Sequence, residues 1–144
     1  MALTTDIWAV TPSFSATLYR AAAAIAGAGD ITLITNQPLD NGAGYQVLFT
    51  CAGDATAATF TITGYVAGDL SQSVTTETVA GVDSGTATST NYYSRITSIS
   101  SDAAVATNVS IGNAIADGTA LPRARMKGFY FVGSAGAGSV TLTL

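Results

Sequence analysis

The sequence predicts an all-β chain, a single β-sandwich of about eight short antiparallel strands, and three observations carry that reading. The 144 residues include 22 Thr and 13 Ser, which favour pleated surfaces and turns: β-branched Thr fits a strand, and Ser competes for turn and cap hydrogen bonds. After Asp30, apolar and hydroxylated residues alternate with period two through most of the chain. Short clusters of Gly, Asn, Asp and Ser separate these runs, and no strong helical pattern lies between them, which disfavours a parallel α/β fold. Periodicity does not encode strand order, so both a jelly-roll and an immunoglobulin-like sandwich stay open.

Taken in order, residues 1–29 read as an N-terminal arm and residues 30–144 as the sandwich domain. In "PSFSATLYRAAAAIAGAGD", Phe14, Leu18, Ala21, Ala22 and Ile25 fall at helical spacing, and Ala is the best helix former. The tail of small residues through Gly27 and Gly29 suits an extended arm lying on a neighbouring subunit equally well. The arm is therefore extended or short-helical, and Trp8, Phe14 and Tyr19 would either anchor it on a partner or pack into the core. Next, "ITLIT" (31–35) and "YQVLFT" (45–50) read as strands separated by a turn cluster at Pro38, Asn41 and Gly42. "ATFTITGYV" (58–66) is the cleanest strand, with Phe60 and Ile62 on one face against Thr59, Thr61 and Thr63 on the other.

"SQSVTTETVAGV" (71–82) supplies the following strand, with Val74, Thr76 and Thr78 on one face. "VDSG" (82–85) reads as a turn leading into "GTATSTNYYSRITSIS" (85–100), where adjacent Tyr92 and Tyr93 point to opposite faces, Ile96 to Ile99 form a corner, and Arg95 is a lone charge in need of a partner. "VATNVSIG" (105–112) follows, then a longer connection, then two final strands in "GFYFVG" (128–133) and "SVTLTL" (139–144).

Charge separates this chain from several functional classes. Only 10% of residues are charged, against roughly 25% in a typical soluble domain. A subunit with so little surface charge is expected to be buried in a larger assembly, because strands without charge pair easily at their edges. The net charge of −4 and pI near 4.2 argue against nucleic acid or an anionic membrane as principal partner. No stretch approaches the roughly 18 to 20 apolar residues of a spanning helix, and the start has no basic segment of a secretory signal, so assembly in a cytoplasm is expected.

The chain contains no His, which removes His-based metal sites and His-dependent triads. Cys51 is the single cysteine and reads as a small buried hydrophobe. Nine carboxylates are scattered singly, most beside Gly, Asn or Ser where turn caps belong, and none of the Gly-rich pieces has the Lys and Ser/Thr of a phosphate loop. Neither a catalytic site, nor a cofactor, nor a metal is expected. One charged feature rises above background: Arg123, Arg125 and Lys127 in "PRARMKGFYF" share one side of an extended segment and would make a basic contact on an acidic partner subunit, or form a solvated loop.

Residues 27–114 resemble a module of bacteriophage virion structural proteins. The series runs from "AGAGDITLI" through "TFTITGYVAGD", "TTETVAG", "GTATSTNYYSRITSIS" and "ATNVSIGNA". The resemblance implies a small auxiliary virion protein of the head decoration or cement type, located on the capsid surface. Its partners would be the major capsid protein and further copies of itself, a trimer before a dimer. A tail, neck or host-recognition component is the alternative, and copy number per particle separates the two. The arm before residue 27 and the "PRARMK" segment lie outside the resemblance.

Overall fold

The computed structural model of the protein describes residues 14–35, 43–67, 69, 71, 73–114 and 123–124. Alternation builds its strands. In Thr59–Val66 the odd hydroxylated residues Thr59, Thr61 and Thr63 stay half-exposed while Phe60 and Ile62 are fully buried. The described strands are β1 (Ser15–Ile25), β2 (Gly29–Asp30), β3 (Ala43–Gly44), β4 (Gln46–Asp54), β5 (Thr59–Val66), β6 (Val74–Ala80), β7 (Asp83–Thr88), β8 (Tyr93–Ser101), β9 (Val105–Ala114) and β10 (Arg123–Ala124).

Eight of them form two four-stranded sheets, ordered β1-β9-β4-β7 and β2-β8-β5-β6, while β3 and β10 make a two-stranded ribbon. Every pairing is antiparallel. Within the eight, the first strand pairs with the last (β1 with β9), the second with the one before it (β2 with β8), then β4 with β7 and β5 with β6. Four such nested pairs distributed over two sheets are the strand order of a jelly roll, which decides between the two sandwich topologies left open by the sequence.

The sheets close on one apolar core. Tyr19, Val47, Phe49, Val109 and Ile111 from the first sheet meet Phe60, Ile62, Tyr93, Ile96 and Ile99 from the second, all fully buried. At the centre Phe49 stacks on Phe60, with ring centroids 4.5 Å apart and planes 7° from parallel. Cys51 lies within this cluster as a buried free thiol.

Four expectations change. Residues 15–25 are neither helix nor free arm: they form β1, an edge strand of the sandwich on β9. Of the positions at helical spacing only Ile25 is buried, whereas the strand also buries Tyr19, so core burial outweighs the helix propensity of four alanines. Residues 31–35 form no ladder; they cross between the sheets, Ile31 N donating to Ile99 O (2.8 Å) and Ile34 N to Tyr19 O (2.7 Å). The turn read at 82–85 lies at residues 81–82 instead, and Asp83 and Ser84 already belong to β7, where Ser84 takes a positive φ of 47° beside an irregularity against β4. Ile96 to Ile99 is no corner: Thr97 is the extra residue of a bulge against β5, which lets Ile96 and Ile99 both face the core. The corner is at 102–104. The strands read at 128–133 and 139–144 lie outside the described residues.

Candidate functional site

Three polar centres stand out, and they differ in what their side chains are free to do. On β6 the inward positions are Thr75, Glu77 and Val79, so the strand's alternation aims a carboxylate at the rim of the core. Glu77 accepts hydrogen bonds from the backbone N–H groups of Thr90 and Asn91, from Asn91 Nδ2 (3.0 Å) and from the Tyr93 hydroxyl (3.2 Å). It ties the loop between β7 and β8 to the edge of the second sheet. Burial, and then the Glu77 charge, push the Tyr93 hydroxyl well above the ordinary tyrosine range. Glu77 is thus a structural clamp whose oxygens are engaged.

The second centre is Arg20 on β1. Five steps along β1, from Ser15 to Arg20, run against two on β9, from Asn113 to Ile111, so β1 bulges and loses ladder partners. Gly112 lies under that bulge, where a Cβ would collide with the backbone of Ser15 and Ala16. The Arg20 guanidinium supplies donors in place of the ladder: Nη1 to Ala23 O (2.8 Å) and Val109 O (2.6 Å), and Nη2 to Ala24 O (2.8 Å). Partial burial moves its pKa down from the usual arginine value. An open groove of about 310 Å³ runs beside it, between β1 and residues 26–32.

The third centre is the outer surface of the second sheet. Hydroxylated residues from β5, β6 and β8 share it, and at one end Arg95 lies over the Tyr65 ring, 5.8 Å from its centroid. Among the described residues the six Thr and Ser hydroxyls of this surface form no hydrogen bond within the fold, and it is the candidate interaction site.

Three other described carboxylates, Asp54, Asp69 and Asp102, serve turns. Asp54 accepts from the backbone and hydroxyl of Thr56 (2.9 and 2.7 Å), hydrogen bonds that lower its pKa. Asp69 holds Ser71 in the same way, and Asp102 receives Thr59 N (2.6 Å). Among the described residues, no group of three or more His, Cys, Asp or Glu is placed to hold a metal, and no helix is long and apolar enough to cross a membrane.

The residues singled out from the sequence come to lie apart. Phe14 is exposed at 59% before β1. Tyr19 is fully buried in the chain's own core, so it anchors no arm on a partner's surface; its hydroxyl has no hydrogen-bond partner among the described residues, and burial raises its pKa. Arg95 is exposed on β8 with the aromatic face of Tyr65 beside it. Arg123 starts β10, and its backbone pairs with Gly44. Trp8, Arg125 and Lys127 lie outside the described residues. Sequence reasoning missed Glu77 and Arg20, whose partners include Thr90, 13 residues away, and Val109, 89 residues away.

Comparison with protein-family models, with curated proteins and with solved structures finds no match to this chain.

Proposed function

We propose that the chain is a structural protein of a bacteriophage virion, a decoration or cement protein that binds an icosahedral head and stabilises it. The observation that carries this reading is a coincidence of boundaries: the ordered segments that resemble phage structural proteins, residues 27–114, coincide with β2 through β9 of the jelly roll. Capsid proteins use this fold, as do lectins and cupins, so the strand order supports the reading by analogy. A charge-poor surface adds support, since burying it against a shell costs little ionic desolvation.

The mechanism is mass action. A subunit that binds the assembled lattice and not its free components adds its binding free energy to the lattice. Exposed Phe14 and Ile34 supply apolar contact, and the basic segment that begins at β10 supplies polar contact to the major capsid protein. The subunit acts as a homo-oligomer, a trimer, and needs no cofactor or catalytic group.

Quantitative mass spectrometry of purified particles tests this reading. Hundreds of copies per particle are expected; about a dozen or fewer would move the chain to the tail or neck, and its absence from particles would overturn the reading. With Arg123→Glu, Arg125→Glu and Lys127→Glu combined, occupancy on the head should fall about tenfold. Unchanged occupancy would remove the basic segment from the interface.

A further inference from the structure

The outer surface of the second sheet repeats itself. Strand register places Thr78, Thr61 and Ser100 in one rank across β6, β5 and β8, and Thr76, Thr63 and Ser98 in the next. A third rank continues with Val74, Tyr65 and Arg95. Ranks two residues apart along a strand lie roughly 6.8 Å from one another, and neighbouring strands about 4.8 Å. The result is a grid of six hydroxyls with fixed spacing, four of them carrying a γ-methyl beside the oxygen.

These hydroxyls form no hydrogen bond to another described residue, and all six are exposed or half-exposed. The stiff χ1 of β-branched Thr means that little side-chain entropy is lost when they engage a ligand. Hydroxyls that hold the fold together have partners inside it, as Ser89 and Ser101 do. The grid has none, so its directed polar groups face outward.

The charge pattern narrows the partner. Within the three ranks Arg95 is the single ionic group, and it lies on the Tyr65 ring. A guanidinium held against a ring keeps N–H edges for neutral oxygen acceptors, while Val74 and the free part of the ring offer apolar contact. A net charge of −4 disfavours polyanions. Pyranose rings present the matching chemistry, with hydroxyls at the rim and C–H groups on the faces. We propose that the outer face of β6, β5 and β8 binds an extended neutral polysaccharide, its hydroxyls along the Thr and Ser ranks and one ring at Tyr65 and Arg95. This site does not depend on the virion assignment.

Native electrophoresis of the full chain through gels containing hydroxyethyl cellulose, dextran or alginate tests it. At least one neutral polymer should retard the chain and alginate should not. Thr63→Val with Thr76→Val keeps the branched carbons and removes two directly paired hydroxyls, which should weaken retardation about tenfold. Arg95→Met, at an exposed position, should also weaken it, while Thr86→Val with Thr88→Val on β7 of the other sheet should leave it unchanged. The proposal fails if neither neutral polymer retards the chain, if alginate alone does, or if the Thr63 and Thr76 double variant is retarded like the parent. It fails equally if sedimentation velocity detects self-association that this double variant abolishes, since the face would then receive a second copy.

Discussion

In the first sheet a cation, Arg20, lies among backbone carbonyls of a bulged edge strand; in the second a cation, Arg95, lies exposed on an aromatic ring. The outer side of the first sheet is correspondingly closed along part of β9 and β4, while Thr86 and Thr88 of β7 stay exposed. Ser110, Gly112 and Ala114 of β9 and Leu48 of β4 are buried there, although alternation points them away from the core. Across the sandwich, the same alternation leaves Thr76 and Thr78 in solvent and Thr61 and Thr63 half-exposed. Arg20 finds its partners within the fold and repairs an irregularity of the backbone; the hydroxyls of β5, β6 and β8 find none among the described residues and face outward. The first sheet is therefore expected to answer to stability measurements and the second to binding measurements.

What the two sheets share is the core, and the largest effect comes from breaking it. Phe49 and Phe60 stack from opposite sheets, so Phe49→Ala removes both buried area and a ring contact, and should lower unfolding stability by about 3–5 kcal/mol in urea denaturation. A loss below about 1 kcal/mol would mean that the sheets do not depend on this contact. Next comes the test of the comparison itself. Arg20→Met leaves the carbonyls of Ala23, Ala24 and Val109 without their donor, at a cost of about 2 kcal/mol, part of it softened by solvent at this partly exposed site. Arg95→Met removes a surface cation–π contact and should stay within about 0.5 kcal/mol. Equal losses at the two positions would erase the distinction between a closed and an open sheet.

Much of the second sheet is legible from the sequence and much of the first is not, for a physical reason. β5 and β6 alternate strictly, so period two alone assigns Phe60 and Ile62 inward and Thr61, Thr63, Thr76 and Thr78 outward. β1 carries five alanines and a bulge, and small side chains mark neither face; only its pairing with β9 makes it a strand. The described residues hold eight sandwich strands, but not the eight read from the sequence. β1 and β7 do not read as separate strands in the sequence, and the strands read at 128–133 and 139–144 lie outside the described residues. The hydroxyl face of each strand can be read locally, whereas the grid needs the register across three strands, which periodicity does not contain. Glu77 reads as one more scattered carboxylate because its four donors lie 13 to 16 residues further along the chain, in the loop after β7 and at the start of β8.

The smallest expected effect sharpens the account of the core rather than of either surface. Tyr19 and Tyr93 are both fully buried, one on each sheet, but the Tyr93 hydroxyl donates to Glu77 while the Tyr19 hydroxyl has no partner among the described residues. Tyr19→Phe removes a buried polar group that forms no hydrogen bond, so it should raise stability by about 1 kcal/mol at neutral pH, where Tyr93→Phe should lower it by a similar amount. The two hydroxyls also couple folding to alkaline pH. Burial raises both above the ordinary value of 10.0, so the folded chain keeps these protons to higher pH than the unfolded chain does. Their stabilising contribution is therefore complete below about pH 10 and is lost as pH rises above it, because the unfolded state releases its protons first. Urea midpoints measured between pH 8 and pH 11 should fall for the parent above about pH 10 and fall less steeply for Tyr19→Phe. A parallel decline in parent and variant would mean that Tyr19 ionises in the folded chain as readily as in the unfolded one, and hence that its hydroxyl reaches water.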